Sequence, residues 1–540
     1  MEAWDVLVIG DGPAALRSAA SAAKHGAQTL MLSATALGDG GITAADGLSS
    51  SVQEMNNKGH REDTITTGDF LCDQDIVSSR TTQSIREMDL LERRGVIFQR
   101  DAKGLPIAHT GIGHSKPRIV SSGDGICQEI QQVLEEQCMR HGVVRRSDQV
   151  PVMIVQNNNS VCGMITADMI NGNFVAIQCK SIILADGGFE DIFTTGKSML
   201  GMDLGLQCGI PLRGMEFISQ TPLSVKGTNM ILPLGMLNAG ASLHLIDGSP
   251  IEGSSIMELC QPSKDSETVV LDARGMGDQS NWWNSVFRDV KQRTGIDLSK
   301  QTIGLENQVN STLGGLPVDE IGRVVIGSWS RWFTGLYAAG DASCSGFHGA
   351  GLLQGNRLLD SLVGGSSAGQ HAGEWSSKAL FSGTELIQEA LQTTVSNHEL
   401  MFSDNDEEVA VVRIGIVSDK LREVALSFVN GDNDSSKYSQ YLETLEQLSI
   451  LAESIHLDQE SLISNTNMLS MLQTQAGIRL LTCSIQASLA RNESRGLHRR
   501  TDFPEKDGDL LHHITIDQEG NAGTLALRMS ETGNWVLTPQ

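Results

Sequence analysis

Residues 4–15 read Trp4-Asp5-Val6-Leu7-Val8-Ile9-Gly10-Asp11-Gly12-Pro13-Ala14-Ala15, and the rest of the chain is organised around them. Val6 to Ile9 form an apolar run suited to a buried parallel strand. Gly10-Asp11-Gly12 makes a tight turn, and an alanine-rich stretch from Ala14 to Lys24 predicts a helix. The pattern is G-x-G-x-x-G/A with Ala15 in the third place. Gly10 permits the turn, Gly12 lets backbone approach a diphosphate, and the small Ala15 lets helix pack on strand. The free N–H groups of the helix start then face the anion.

A second strand is expected at Gln28–Leu32, followed by Ser33-Ala34 where most dinucleotide sites carry an acid. Residues 33–50 are a small-residue loop. Lys180 to Ala185 reads as another buried strand, ending in Asp186-Gly187-Gly188. Residues 222–305 lack the strand–glycine–helix rhythm and read as an inserted lid. The rhythm resumes at Gly335, where Leu336 to Ala339 precede Gly340-Asp341, and a helix is expected beyond Leu352. Asp341 is placed to accept from a ribityl or ribose hydroxyl. Residues 383–495 read helical, and 500–540 as a small β unit.

The 540 residues carry a net charge of −25, which argues against nucleic acid or an anionic membrane as partner. None of the nine cysteines forms C-x-x-C. This argues against an iron–sulfur cluster or zinc ribbon held by this chain and fits free thiols in a reducing, cytoplasmic or matrix-like compartment. No metal site is expected. The first strand begins near residue 5, leaving no room for a signal peptide, and no apolar run reaches the roughly 20 residues of a membrane span. Membrane contact is therefore expected only through partner subunits.

These motifs resemble the flavoprotein subunits of succinate dehydrogenase and fumarate reductase, with L-aspartate oxidase as a relative. The resemblance rests on Asp5–Ala15, Ser33–Gly47, Met215-Glu216-Phe217, Gly314–Asp319, Gly335–Asp360 and the element Ala490-Arg491-Asn492-Glu493-Ser494-Arg495-Gly496-Leu497-His498. It implies an α/β fold: a Rossmann-like FAD-binding domain (1–221 and 306–375), a capping domain (222–305), a helical domain (376–499) and a small C-terminal domain (500–540). It also implies FAD held by Gly10–Ala15, Ser33, Gly40, Gly41, Thr43, Ala44, Ala45, Asp46, Gly47, Ala185, Gly187, Asp341, Arg357 and Leu358. Electrons would pass between a small substrate and a separate iron–sulfur subunit.

The departures cluster where the family binds its dicarboxylate. Gly41 falls at the flavin-linking histidine, implying noncovalent FAD. Thr221-Pro222 stands for a histidine–proline pair, Pro233-Leu234 for a threonine–glutamate pair, Ser254 for the proton-donating arginine, Asn310 for a second histidine and Leu352 for the clamping arginine. His348 survives beside the expected flavin. A dicarboxylate needs fixed positive donors, ideally a bidentate guanidinium. Leu352 offers none, so altered or lost dicarboxylate chemistry is expected: the substrate is either not a dicarboxylate or is bound by other residues. Two alternatives stand beside the electron-transferring subunit: a soluble oxidase or reductase of the aspartate-oxidase type, and a catalytically silent FAD-binding subunit. Arg118 is expected in a structural ion pair, and Trp282, Trp283, Trp329 and Trp332 in packing. Glu493, Arg495 and His498 are expected to form a polar network at a helix end.

Overall fold

A computed structural model describes the chain except residues 37–45, 53–56, 195–198, 266, 329–330, 403–411, 458 and 540. The opening stretch forms the strand Glu2–Ile9 and the helix Pro13–Lys24. Val6, Leu7 and Val8 are fully buried, because this strand lies inside the sheet with neighbours on both edges. It pairs in parallel with Thr29–Leu32 (Val6 opposite Thr29) and with Asn173–Leu184 (Val6 opposite Ser181). Arg331–Ala338 continues the parallel order beyond Asn173–Leu184, and Val144–Arg146 extends the other side. Three antiparallel strands, Arg323–Ile326 on the edge beside Arg331–Ala338 and the pair Gln149–Gln156 and Val161–Asp168, complete an eight-stranded sheet. The chain is α/β with a Rossmann-like core.

The helix Asn356–Ser376 packs on Pro13–Lys24 through glycines four residues apart. A Cβ on Gly369 would lie 2.1 Å from the Ser18 carbonyl oxygen, and one on Gly365 2.7 Å from that of Ala14. Residues four apart share a helix face, so this stripe lets the two helices approach at backbone distance. That approach brings Gly340 against Ala14 at the glycine turn.

Ile218–Val225, Ile303–Thr312, Val269–Asp272, Ser242–Leu245 and Pro250–Ile251 form a separate antiparallel sheet in that order. Helices Ile256–Lys264 and Asn284–Thr294 accompany it, and Leu223, Leu243, Leu271, Trp283 and Leu305 fill its own core. The lid thus reaches outward from 222–305: both junctions fall inside paired strands. Glu385–Leu400 leans on the antiparallel flap through Ile387, while Ile414–Asn430, Ser435–Glu453 and Thr466–Ala490 pack together. At the C-terminus, His512–Ile516 pairs with Ala522–Ala526 and with Leu212–Arg213.

Candidate cofactor and substrate site

A cavity of about 960 Å³ runs from the first glycine turn to the cap. One end is lined by Gly10, Asp11, Gly12, Pro13 and Ala14, with Ser33 at the end of the second strand and Ala185 and Gly187 after the third. Gly10 has φ +117°, and a Cβ there would lie 2.3 Å from the Ala185 carbonyl oxygen. Only glycine satisfies both the backbone conformation and the approach.

Midway, Arg357 sits in the first turn of the helix Asn356–Ser376. Its Nε donates to Asp341 (2.6 Å), Nη1 to the Asn310 carbonyl (2.7 Å) and Nη2 to Glu190 (2.7 Å). Burial works against the charge on Arg357, but the Asp341 and Glu190 carboxylates outweigh it and raise its pKa. Asn310 Oδ1 is buried with no partner among the described residues. Asp46 faces the same cavity. Its Oδ1 accepts from Leu234 N (3.1 Å), and burial pushes its carboxyl up to about 6 against the pull of that N–H and of Arg357.

Toward the cap the lining is mixed: Met230, Ile231, Pro233, Ile256, Val309, Leu352 and Leu353 give an apolar wall, and Asn229, Ser285, Asp289, Arg293 and Gln308 stand beside it. Leu352 is buried with Leu71, Phe217, Leu313 and Ala350. The lining cations among the described residues are Arg357, already bracketed, and Arg293 on the exposed side of its helix.

A family model described as FAD binding domain matches residues 5–230 and 284–358, more than half of the chain. A second, described as Fumarate reductase flavoprotein C-term, matches 421–537. The chain belongs to the succinate dehydrogenase and fumarate reductase flavoprotein family. It is an FAD-dependent oxidoreductase. The fumarate reductase flavoprotein subunit of Escherichia coli K12 is 26% identical over 99% of this chain and 95% of its own. The succinate dehydrogenase flavoprotein subunit of Rickettsia felis is 24% identical over 96% and 94%. The FrdA chain of E. coli quinol fumarate reductase shares the fold, with a TM-score of 0.89 at 22% identity, over 100% of this chain and 99% of that one.

The residues of this flavoprotein fit FAD. The cavity lies at the upper end of the roughly 300–1,000 Å³ usual for ligand sites, and the Gly10 turn leaves no room for a side chain. Gly10→Ala is therefore expected to yield protein without flavin. The ratio of absorbance near 450 nm to that at 280 nm measures this, and normal flavin content would refute the reading of the turn.

The other expected residues are distributed as follows. Asp46, Gly47, Leu358, Leu352 and Asn310 line the cavity, while Ala15 is buried in the helix behind it. Gly40, Gly41, Thr43, Ala44 and Ala45 lie outside the described residues, as does Trp329. Three candidates are not brought to the main cavity. Thr221 is buried within its strand, opposite Gln308. Ser254 is exposed, its hydroxyl donating to Glu258 at 3.0 Å. His348 lines a second, much smaller cavity with Cys344 and His513, its Nε2 3.8 Å from Asp360.

Ser254 has a local cause: Ser255 caps the helix Ile256–Lys264 by accepting from Glu258 N, and the Glu258 carboxylate returns to Ser254 N and Oγ. The S-x-x-E signature of a helix start was readable. Arg118 is buried in an ion pair with Asp63. Trp283 is in the cap core, Trp282 is exposed, and Trp332 stacks edge-on with Trp375 and Tyr337.

Sequence reasoning missed Gln354. Its Nε2 donates to the Asp46 carbonyl (3.1 Å) and to Asn238 of the cap (2.8 Å), while its Oε1 accepts from Ile112 N (2.8 Å). One side chain thus joins the cofactor loop, the 111–114 loop and the cap. Among the described residues no helix is long and apolar enough to cross a membrane, and no group of His, Cys, Asp and Glu is arranged to hold a metal ion.

Proposed function

We propose that this flavoprotein interconverts a CH–CH and a C=C bond in a small substrate that is neutral and largely apolar rather than a dicarboxylate. FAD, when bound, supplies the hydride exchange. The observation that carries the reading is the wall of Met230, Ile231, Ile256, Leu352 and Leu353; the resemblance would put the carboxylate-clamping arginine at Leu352. A carboxylate against it would be desolvated without a partner. Asp46, Asp341 and Glu190, with Arg357 taken up by the latter two, add no anion-binding charge.

Gly10, Asp11, Gly12, Pro13 and Ala14 would hold the diphosphate, and Ser33, Ala185 and Gly187 the adenosine side. Gly47, Asp341, Arg357 and Leu358 would hold the ribityl and ring. The curated relatives are named as subunits, which supports an electron-transferring partner. We assign that role to a separate iron–sulfur protein, through which any membrane contact would run, with FAD held noncovalently in a reducing compartment.

The test uses a matched pair. Holoprotein is photoreduced without oxygen and mixed with fumarate or with dimethyl fumarate, which has the same C=C bond and no charge. Reoxidation of the flavin with formation of dimethyl succinate, at least tenfold faster than with fumarate, is expected. Faster reaction with fumarate would restore the dicarboxylate reading. A flavin that ignores both probes would favour a silent subunit.

A further inference from the structure

Asp46 stands where the two halves of the site meet. Its Oδ1 bonds Leu234 N, next to Pro233, and its carbonyl bonds Gln354 Nε2, next to Leu353. Pro233 and Leu353 belong to the apolar wall, and Asp46 itself lines the cavity. Its carboxyl is therefore held within a residue or two of the surface assigned above to the substrate. Of the further lining carboxylates, Asp124 accepts from Ser285 N and Val286 N and Asp186 from Gly201 N, and none of them bonds both the cap and Gln354 as Asp46 does. The other candidates singled out by sequence or by the Arg357 bracket are committed elsewhere. Glu190 and Asp341 bracket Arg357. Ser254, at the position of the family's proton donor, is exposed and tied to Glu258. His348 lines the second cavity.

We propose that Asp46 is the proton donor and acceptor of the reaction. The proposal rests on the CH–CH reading above. Reduction of a C=C bond needs a hydride at one carbon, supplied by the reduced cofactor, and a proton at the other. The Asp46 carboxyl gives up that proton, the new C–H bond forms, and a carboxylate remains until it is reprotonated from solvent. In the oxidative direction the carboxylate takes the proton as the hydride leaves.

The surroundings suit a group that must change charge. Burial pushes the carboxyl up to about 6, near the working range of an acid–base group. Arg357 faces it from the helix start, backed by Glu190 and Asp341. His114 reaches Gln354 from the other side, its Nε2 2.9 Å from the Gln354 carbonyl. The cap segment 230–238 brings no titratable side chain.

Asp46→Asn keeps an acceptor for Leu234 N–H and removes the proton. Photoreduced wild-type holoprotein is mixed with dimethyl fumarate from pH 5 to 8. The rate constant is expected to be flat below about pH 6 and to fall about tenfold per unit above it. Asp46→Asn is expected to be at least ~100-fold slower per bound flavin and pH-independent. A rate within threefold of wild type, with the pH slope kept, would overturn the proposal.

A second readout needs no turnover. The absorption band of the oxidised bound flavin is expected to shift with a midpoint near pH 6 in wild type and not in Asp46→Asn. If dimethyl fumarate fails to react with wild type, the neutral-substrate reading falls by itself. The band titration then decides Asp46: a midpoint lost in the variant sustains it, and a flat wild-type titration removes it.

Discussion

Arg491→Ala is expected to lower stability by ~3–5 kcal/mol, the usual cost of leaving buried charges without their partner. Arg491 is fully buried beside two carboxylates that are also fully buried: Nε donates to Glu216 and Nη1 to Glu493, both at 2.8 Å. Nη2 donates to the His512 carbonyl at 2.9 Å, and Phe217 lies under the guanidinium. Glu493 is shared with Arg495, whose Nη1 reaches the Asp69 carbonyl at 3.0 Å. One basic side chain therefore joins the cofactor domain, the end of the helix Thr466–Ala490 and the C-terminal hairpin. Alanine would strand Glu216, whose Oε2 already lacks a partner among the described residues. Guanidinium unfolding of the variant measures the loss. A change under ~1 kcal/mol would mean that the network adds order without stability.

The second large effect is with pH. Burial holds four imidazoles far below their usual range: His60 and His498 at about 3, His114 and His513 at about 4. In the unfolded chain they titrate near 6.5. As pH falls below 6.5 the unfolded chain takes up protons that the folded chain refuses, so stability is present above that value and lost toward pH 4. At 1.36 kcal/mol per pKa unit the four together amount to roughly 16 kcal/mol when fully expressed, about half of it lost by pH 5. Asp46 has the opposite sign: its raised pKa returns stability as pH falls through about 6, but it is one group against four. Denaturation midpoints at pH 7, 6 and 5 should fall steadily. A flat profile would show that these histidines are hydrated or protonated in the fold. His60→Gln, which keeps polar contacts to Ser49 and Asn356, should flatten part of the slope.

The glycine turn was legible because its code is local: strand, turn and helix lie within residues 2–24, and Asp341 and Arg357 belong to the second such unit. Their mutual bond was not legible, nor was the bracket with Glu190, 167 positions away. The lid could be read only as an absence of rhythm, so its bounds were drawn inside strands that pair across more than 80 residues. His348 and Thr221 followed motif position, whereas their surroundings depend on how Gly346–Gly349 and the strand Ile218–Val225 turn in space. Gln354 carried no signal, because an amide's value lies in what converges on it.

The lid also leaves the rest of the chain as it entered it. Ile218 and Thr312 are opposed residues of neighbouring antiparallel strands, so the points of departure and return lie about 5 Å apart. In evolutionary terms the segment is a cassette. Its length can vary without changing where the chain leaves and rejoins the cofactor domain, while its bonds to Asp46, Thr110, Asp124 and Gln354 are what tie it back to the site.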